Sequence, residues 1–248
     1  MIELRQVSAG YGKHQVLNDV SVCFEKGKLT SIIGVNGCGK STLLKTVLGM
    51  VPLHRGDISI NGEKSHGMSR DAIARKLAYL SQGRNTPDMT VGQMVLHGRF
   101  PHLNYPRRYT KQDYEIAHTA MEQLKITDLA HKQLSALSGG MRQNAYIAMA
   151  LAQDTEYILL DEPTTYLDIA HQLELMKILR QLADQGKGII TVTHDIQMAF
   201  SFSDRIILLH EGSVFDSGTP EEVCGRNGIS QIMGVSLNPT ECGYSYRY

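Results

Sequence analysis

Apolar and polar positions follow two different patterns along this chain. Residues 2–7 and 20–24 alternate singly around Gly10-Tyr11-Gly12 and predict an antiparallel strand pair. Continuous apolar runs predict buried strands at 29–33, 77–80, 157–160 and 188–192. Helix-like stretches lie between these runs, at 40–48, from 69, at 169–182 and from 196. Together the elements predict an α/β fold with an antiparallel portion near its start.

Between residues 90 and 134 the pattern changes, because helical stretches at 90–97 and 111–124 follow each other without a convincing strand. This change predicts a helical insertion. The link at 98–102 breaks the first helix and is expected to expose one aromatic and two basic side chains. Aromatic and methionine residues here form either a partner-binding face or ordinary core and surface: Met89, Met94, Phe100, Tyr105, Tyr109 and Tyr114.

The last part of the chain predicts strands at 205–209 and 213–216 and a short helix after Thr219-Pro220. A tail at 234–248 is rich in polar and turn residues and carries Tyr244, Tyr246 and Tyr248. We expect this tail to be peripheral, and the sequence pattern offers no interpretation of its tyrosines.

Composition limits the partners and the location of the protein. Among 248 residues, 25 basic side chains balance 25 acidic ones, which gives no sign of electrostatic capture of nucleic acid or an anionic membrane. No run of about twenty apolar residues is present to span a bilayer, and the first residues lack the layout of a signal peptide. The four cysteines have no metal-finger spacing. A cytosolic location is therefore expected.

The strongest chemical signal is Gly34-Val35-Asn36-Gly37-Cys38-Gly39-Lys40-Ser41, which fits the phosphate-loop pattern G-x-x-x-x-G-K-[ST] between a predicted strand and a predicted helix. Glycines let successive N–H groups turn toward a polyphosphate, and the helix adds the positive end of its dipole. Lys40 would neutralise phosphate charge and Ser41 would ligate Mg²⁺. The alternative is a glycine-rich turn that binds nothing. Cys38 is either an oxidation-sensitive switch or a small residue in a crowded turn.

A second helix start has the features of an anion site. Ser138 is a good N-cap, and Gly139 and Gly140 leave the first amides of the following helix accessible. A capped helix without a ligand explains the same residues.

Polar side chains also follow two of the buried strands. Asp161 and Glu162 end the apolar run at 157–160, where two adjacent carboxylates are costly unless a cation or a proton-transfer role stabilises them. Asp161 is placed to hold Mg²⁺ and Glu162 to polarise a water that faces a terminal phosphate. His194 follows the strand at 188–192 and can hydrogen-bond the same phosphate. Tyr11 could stack on a purine ring.

In this order the motifs resemble the ATP-binding subunit of ATP-binding-cassette (ABC) transporters, over residues 1 to about 225. The family motifs fall at Tyr11 (adenine-stacking aromatic), Gly34–Thr42 (Walker A), Gln82 (Q-loop), Leu137–Gln143 (signature), Tyr157–Glu162 (Walker B), Leu167-Asp168 (D-loop) and His194 (switch histidine). The resemblance implies a P-loop NTPase cassette with a mixed sheet core, an N-terminal antiparallel β portion and a helical subdomain at about 90–152. Residues 226–248 would form a C-terminal extension.

The resemblance also implies the roles of these residues. ATP and Mg²⁺ would be the cofactors, with Glu162 as general base, His194 and Lys40 at the phosphates, and Gln82 linking the metal site to the helical subdomain. Mg²⁺ would be held by Ser41, Gln82 and Asp161. The nucleotide would contact Tyr11, Gly34, Asn36, Gly37, Cys38, Gly39, Lys40, Ser41, Thr42, Ser138, Gly139, Gly140 and Asp168.

The partners implied by the resemblance are a second copy of the chain and a membrane permease. Two ATP molecules would be sandwiched in a homodimer, with Walker A of one subunit facing the signature of the other. The helical subdomain would grip a short helix of the transmembrane permease at the cytoplasmic face of the membrane. An extracytoplasmic substrate-binding protein would act indirectly, and no nucleic acid partner is expected.

Two details refine or qualify the resemblance. Met141 stands where the family signature usually has Gln or Glu, so nucleotide contact is expected to survive and the rate is left open. Segments 98–102 and 163–172 look like those of the branch that imports ferric siderophores, haem and cobalamin.

Other functions remain open at this point. The main alternative is a soluble cassette ATPase without a permease, although the fused cassettes or long inserted domains of such proteins are missing from this sequence. A nucleotide-dependent regulatory module is a further alternative, which Glu162 and His194 disfavour. A kinase is disfavoured because no acceptor-substrate site is recognisable.

Overall fold

The computed structural model of the protein describes residues 1–83, 86–165, 167–240 and 243–247. The β-strands are β1 (Ile2–Tyr11), β2 (His14–Phe24), β3 (Leu29–Ile33), β4 (Leu53–Ile60), β5 (Glu63–Lys64), β6 (Leu77–Leu80), β7 (Tyr157–Asp161), β8 (Gly188–Val192), β9 (Arg205–His210), β10 (Ser213–Gly218), β11 (Ser236–Thr240) and β12 (Gly243–Arg247). The α-helices are α1 (Lys40–Val47), α2 (Arg70–Lys76), α3 (Val91–His97), α4 (Lys111–Gln123), α5 (Gly139–Ala152), α6 (Ile169–Asp184), α7 (Ile196–Phe202), α8 (Pro220–Gly225) and α9 (Gly228–Met233).

The central sheet has the strand order β10-β9-β3-β8-β7-β6. Strands β9, β3, β8, β7 and β6 run parallel, and β10 pairs antiparallel with β9 at one edge. Every residue of β3, β7 and β8 is buried, as expected where both faces of a parallel sheet are covered. The predicted mixed sheet is confirmed. Because β3, β7 and β8 are neighbours, the segments that follow them meet at one edge.

A second, antiparallel sheet has the order β2-β1-β4-β5. Its first two strands are longer than the alternating pattern predicts, because β1 is irregular between Leu4 and Val7, where Gln6 has a positive φ. Such a bulge shifts the period-2 pattern onto the other face. Tyr11 pairs with His14 at the end of β1, so the turn lies after Tyr11 rather than around it.

Helices α3, α4 and α5 confirm the helical character predicted for the insertion. Thr90 and Thr110 each form a capping box at a helix start, and Ser138 caps α5. The three helices pack on one hydrophobic cluster that includes Met94, with Met89 and Tyr109 against it. Ordinary packing thus explains these residues, whereas three aromatic residues from the same group are exposed: Phe100, Tyr105 and Tyr114.

The link between α3 and α4 differs from the prediction of two exposed basic groups. Arg99 is buried and donates hydrogen bonds to Asp113 Oδ1 (2.9 Å) and to the Ala152 carbonyl (2.9 Å). The His102 ring is hydrogen-bonded to the Gln153 carbonyl at 2.8 Å. The end of α5 leaves carbonyl groups without helical partners, and these two side chains satisfy them. Of the aromatic and the two basic side chains expected to be exposed, only Phe100 is exposed.

The buried Arg99–Asp113 ion pair makes a strong stability prediction. Arg99→Met is expected to lower the free energy of unfolding by about 3–5 kcal/mol, because it leaves the Asp113 carboxylate buried without its counter-charge. Urea denaturation would measure the change. A second substitution, Asp113→Asn, keeps an oxygen for the Thr110 amide and removes the charge, so the double variant should recover most of the loss. A stable Arg99→Met single variant would contradict this assignment.

The tail is structured rather than simply peripheral. Strands β11 and β12 form a hairpin, Leu237 is buried, and the Tyr244 ring meets Phe200 of α7 edge-on with ring centroids 5.1 Å apart. Tyr246 packs on the hydrophobic cluster that contains Phe200, since alternate residues of one strand lie on the same face. Two of the unexplained tyrosines thus pack the hairpin against this cluster, and Tyr248 lies outside the described residues. Across the described ranges, none of the helices has the length and apolar character required to cross a bilayer.

Candidate nucleotide site

The phosphate loop connects β3 to α1 in a conformation that requires glycine. Gly34, Gly37 and Gly39 have φ of 152°, 78° and 106°. A Cβ on Gly34 would lie 2.2 Å from the Leu209 carbonyl oxygen. Side chains are therefore excluded where the loop crosses the end of β9, and the backbone of the loop can approach a ligand closely.

Lys40 is held inside this loop. Its side chain is buried, and Nζ donates to the carbonyl oxygens of Gly34 (2.8 Å) and Val35 (3.0 Å). A buried ammonium group needs oxygen partners, and phosphate oxygens are stronger ones than carbonyls. The loop therefore holds the cation that polyphosphate binding requires.

The other loop residues divide by exposure. Asn36 and Gly37 are exposed, and Thr42 is half-buried on α1. Cys38 is buried, and this burial raises the pKa of its thiol. A raised pKa keeps the thiol in its unreactive, protonated form, which favours packing over the oxidation switch.

Ser41 and Asp161 come from distant parts of the chain and meet beside the loop. Ser41 Oγ donates to Asp161 Oδ1 at 2.9 Å, and the Tyr79 hydroxyl donates to Asp161 Oδ2 at 3.3 Å. Burial raises the pKa of Asp161, and the two hydrogen bonds oppose that rise. A buried carboxylate next to a hydroxyl is a donor set that suits Mg²⁺, because a cation would offset the cost of the charge.

Glu162 lies at the centre of a polar cluster. Gln82 Nε2 and Thr165 Oγ1 donate to its Oε2, the latter at 3.2 Å, and His194 Nε2 contacts its Oε1. The Glu162 side chain is 10% exposed, whereas that of His194 is 44% exposed. Positive φ at Glu162 ends the path of β7, and its amide donates to the Val192 carbonyl of β8. Glu162 follows β7 and His194 follows the neighbouring strand β8, so the carboxylate and the imidazole are in contact.

Two residues of this site were missed in the sequence, Thr165 and Tyr79. Thr165 lies three residues after Glu162, and this spacing, typical of a turn, could have predicted their contact. Nothing in the sequence pattern of β6 points to the contact of Tyr79 with Asp161.

The start of α5 lies beside the start of α6. Ser138 Oγ accepts from the Met141 amide at 3.4 Å, and Asp168 caps α6. Hydrogen bonds from the amide and the ring of His171 lower the pKa of Asp168. A Cβ on Gly140 would lie 3.0 Å from the His171 ring, so the two helix starts are in close contact.

The structure brings some of the predicted site residues together and keeps others apart. The sheet edge that follows β3, β6, β7 and β8 carries six of them: Lys40, Ser41, Gln82, Asp161, Glu162 and His194. Gly139 lines a cavity of about 240 Å³ together with Gln82 and Glu162. Within the residues that the structure describes, no hydrogen bond joins Ser138–Gly140 to the phosphate loop. Tyr11 is half-exposed at the end of β1.

A phosphate loop after a buried strand, with a serine–aspartate pair and a clustered glutamate at the same edge, defines a P-loop nucleoside triphosphatase. The sequence model of the ABC transporter family matches residues 17–165. The chain belongs to this family and is an ABC-type ATPase.

Curated relatives agree over nearly the whole chain. The iron(3+)-hydroxamate import ATP-binding protein FhuC of Bacillus subtilis (strain 168) is 42% identical over 94% of this chain and 88% of its own length. The ferric enterobactin transport ATP-binding protein FepC of Escherichia coli (strain K12) is 40% identical over 93% of this chain and 86% of its own. Both relatives are named as ATP-binding proteins of import or transport of an iron chelate.

Solved structures show the same fold. An ATP-binding cassette solved as a dimer in a post-hydrolysis state with ADP and Pi has a TM-score of 0.76 and 27% identity, covering 89% of this chain and 99% of that one. A structure described as an inward-facing ABC transporter of the metal-chelate type has a TM-score of 0.85 and 25% identity, covering 100% of this chain and 97% of that one.

Proposed function

We propose that this chain is the ATP-hydrolysing subunit of an importer for iron chelates, with siderophores as the first cargo class and haem or cobalamin as the others. The observation that carries the proposal is the polar cluster around Asp161 and Glu162, in a cassette whose relatives are named for siderophore import. The cluster supplies ATP hydrolysis, and the relatives supply the transported class.

Each side chain of the cluster has a role in hydrolysis. The loop amides and Lys40 would bind the β- and γ-phosphates, with Tyr11 against the adenine. Glu162 would take a proton from a water molecule while the oxygen of that water bonds to the γ-phosphorus. The bond between the γ-phosphorus and the β,γ-bridging oxygen would break, and ADP would leave. His194 would donate a hydrogen bond to the γ-phosphate and orient Glu162. When bound at Ser41, Asp161 and Gln82, Mg²⁺ would neutralise charge on the β- and γ-oxygens.

A sandwich homodimer would give Ser138–Gly140 a ligand. Among the described residues no hydrogen bond joins them to the phosphate loop of their own chain, and they form a capped helix start. A second copy would bring its nucleotide to them, and Asp168, beside them, would lie in the same interface. The dimeric post-hydrolysis relative supports this arrangement.

A groove of about 580 Å³ is the proposed docking site for the permease. It lies between the end of α1, helix α2 and the link after α3, and its largely apolar lining includes Met50, Ile73, Ala74, Tyr79, Phe100 and Pro101. Met50 is 63% exposed and Phe100 45% exposed, and both line this groove, so they belong to one apolar patch. A short amphipathic helix of a permease would cover them, at the cytoplasmic face of the membrane.

The test is ATP hydrolysis by the chain reconstituted with its permease, with and without binding proteins loaded with ferric siderophore, haem or cobalamin. Stimulation by one loaded protein would identify the cargo. Hydrolysis that never responds to a permease would overturn the proposal in favour of a cassette ATPase without a membrane partner.

In the same system, Phe100→Glu is expected to weaken permease binding at least about tenfold, because buried aromatic anchors carry much of the energy of an interface. Pull-down of the permease would measure the binding. Phe215 is also a 46% exposed phenylalanine, but on β10, so Phe215→Glu is the matched control. ATP hydrolysis by the isolated chain should be unchanged in both variants. Equal permease binding by the two variants would exclude the groove as the docking site.

A further inference from the structure

Tyr79 of β6 touches two sites that the proposed function treats separately. Its side chain is part of the wall of the groove between α2 and Phe100. Its hydroxyl donates to Asp161 Oδ2 at 3.3 Å. The contact is possible because β6 runs parallel to β7, with Tyr79 in register with Leu159, two residues before Asp161. One side chain therefore spans the distance from the groove to the carboxylate.

The walls of the groove are tied to this strand. Gln153, after α5, donates to the carbonyl oxygens of Ala74 and Leu77, which lie on α2 and at the start of β6. Arg75 of α2 donates to the Pro101 carbonyl at 2.8 Å. These hydrogen bonds join α2, the start of β6, the link after α3 and the end of α5. A helix bound in the groove would therefore contact elements that are bonded to one another, and the Tyr79 side chain connects them to Asp161.

The same short strand also leads to Gln82, but the two residues serve different carboxylates. Gln82 donates to Glu162, whereas Tyr79 donates to Asp161. The first contact concerns the group that would activate water, and the second the group that would hold the cation. Gln82 is also among the proposed Mg²⁺ ligands, so the role of the Tyr79 hydroxyl has to be tested by a substitution that leaves Gln82 in place.

We propose that Tyr79 is a positioning residue that couples occupancy of the groove to the orientation of the Asp161 carboxylate, and thereby to cation affinity at Ser41 and Asp161. The inference rests on the proposed function. A donor that holds a metal ligand in one orientation typically changes metal affinity by about 10–100-fold when it is removed. A helix in the groove would fix the Tyr79 ring, and the ring would fix the hydroxyl on Asp161.

Tyr79→Phe removes the hydroxyl and keeps the ring as a wall of the groove. The measurement is equilibrium binding of a fluorescent ATP analogue as a function of Mg²⁺ concentration, for the isolated chain and for the chain in complex with its permease. In the isolated chain, the variant should need about tenfold more Mg²⁺ for half-maximal binding. In the complex, docking should lower the Mg²⁺ requirement of the wild type and not that of the variant.

Tyr244→Phe is the matched control. Tyr244 lies on β12 in the C-terminal hairpin, where its ring packs on Phe200 of α7, and the substitution likewise removes one hydroxyl and keeps the ring. This control should keep the wild-type Mg²⁺ dependence. The proposal is overturned if Tyr79→Phe keeps it as well, or if both variants lose it equally.

Failure of this inference can be distinguished from failure of the proposed function. A wild-type chain that binds no permease would overturn the proposed function and the coupling together. The Mg²⁺ titration of the isolated chain would then still decide whether the Tyr79 hydroxyl positions Asp161. A wild type that responds to its permease, together with a Tyr79→Phe variant that responds equally, would overturn the coupling alone.

Discussion

Glu162→Gln is expected to reduce ATP hydrolysis by about 10²–10⁴-fold while nucleotide binding persists, because an amide cannot accept the proton of the attacking water. The substituted side chain keeps an oxygen that can accept the hydrogen bonds of Gln82 and Thr165, so the geometry of the cluster should survive. Steady-state phosphate release would measure the rate. Size-exclusion chromatography with ATP should reveal an accumulating dimer, since closure would no longer be followed by hydrolysis.

The control for this variant is Glu122→Gln on α4, which makes the same chemical change at an exposed carboxylate in contact with His118. It should hydrolyse ATP at the parental rate. If Glu162→Gln also hydrolysed at that rate, the general base would have to be another group, and the clustering of three side chains around Glu162 would have a structural explanation only.

Lys40→Ala is expected to weaken nucleotide binding by about tenfold to a hundredfold, because charge-assisted hydrogen bonds to phosphate are each worth about 1.5–3 kcal/mol. The substitution also removes the donor that joins the Gly34 and Val35 carbonyls. Titration calorimetry with ATP and Mg²⁺ would give the dissociation constant. Lys40→Met keeps much of the aliphatic stem and separates the loss of charge from the loss of packing.

Lys111→Ala provides the surface comparison, since the Lys111 side chain on α4 is 93% exposed. Its affinity for ATP should equal that of the parent. Parental affinity in both Lys40 variants would mean that the loop amides alone bind the phosphates. Equal melting temperatures of the three variants would attribute the change in affinity to the site rather than to unfolding.

Contiguous motifs were predictable because their function depends on near neighbours. Lys40 and Ser41 follow the glycines that shape the loop, and Ser138 caps the helix that begins at the next residue, so local backbone geometry determines both features. The ends of buried strands were predictable for a similar reason. A run of apolar residues that stops at Asp161 also marks the edge of the sheet.

Errors arose where a distant partner decides the conformation. Arg99 is basic and follows a helix, which suggests exposure, but the open carbonyls of α5 bring it into the interior. The tail is polar and rich in turn residues, yet Phe200 on α7 offers Tyr244 an aromatic partner from a segment far back in the chain. In both cases an element distant in the sequence determines how far the side chain is buried, and the residues next to it in the sequence do not predict that element.

By itself, the sequence determined the phosphate loop, the helical stretches and the residues that end the strands, because these depend on residue type, period and spacing along one segment. The class of the protein came from the order of its motifs, which resembles that of a known family. Only the tertiary structure decided which of these ends meet. The strand order places β3, β7 and β8 side by side, which joins Ser41 to Asp161 and His194 to Glu162. The contact of Tyr79 with Asp161 depends on the parallel register of β6 and β7, which arises from the packing of the whole sheet.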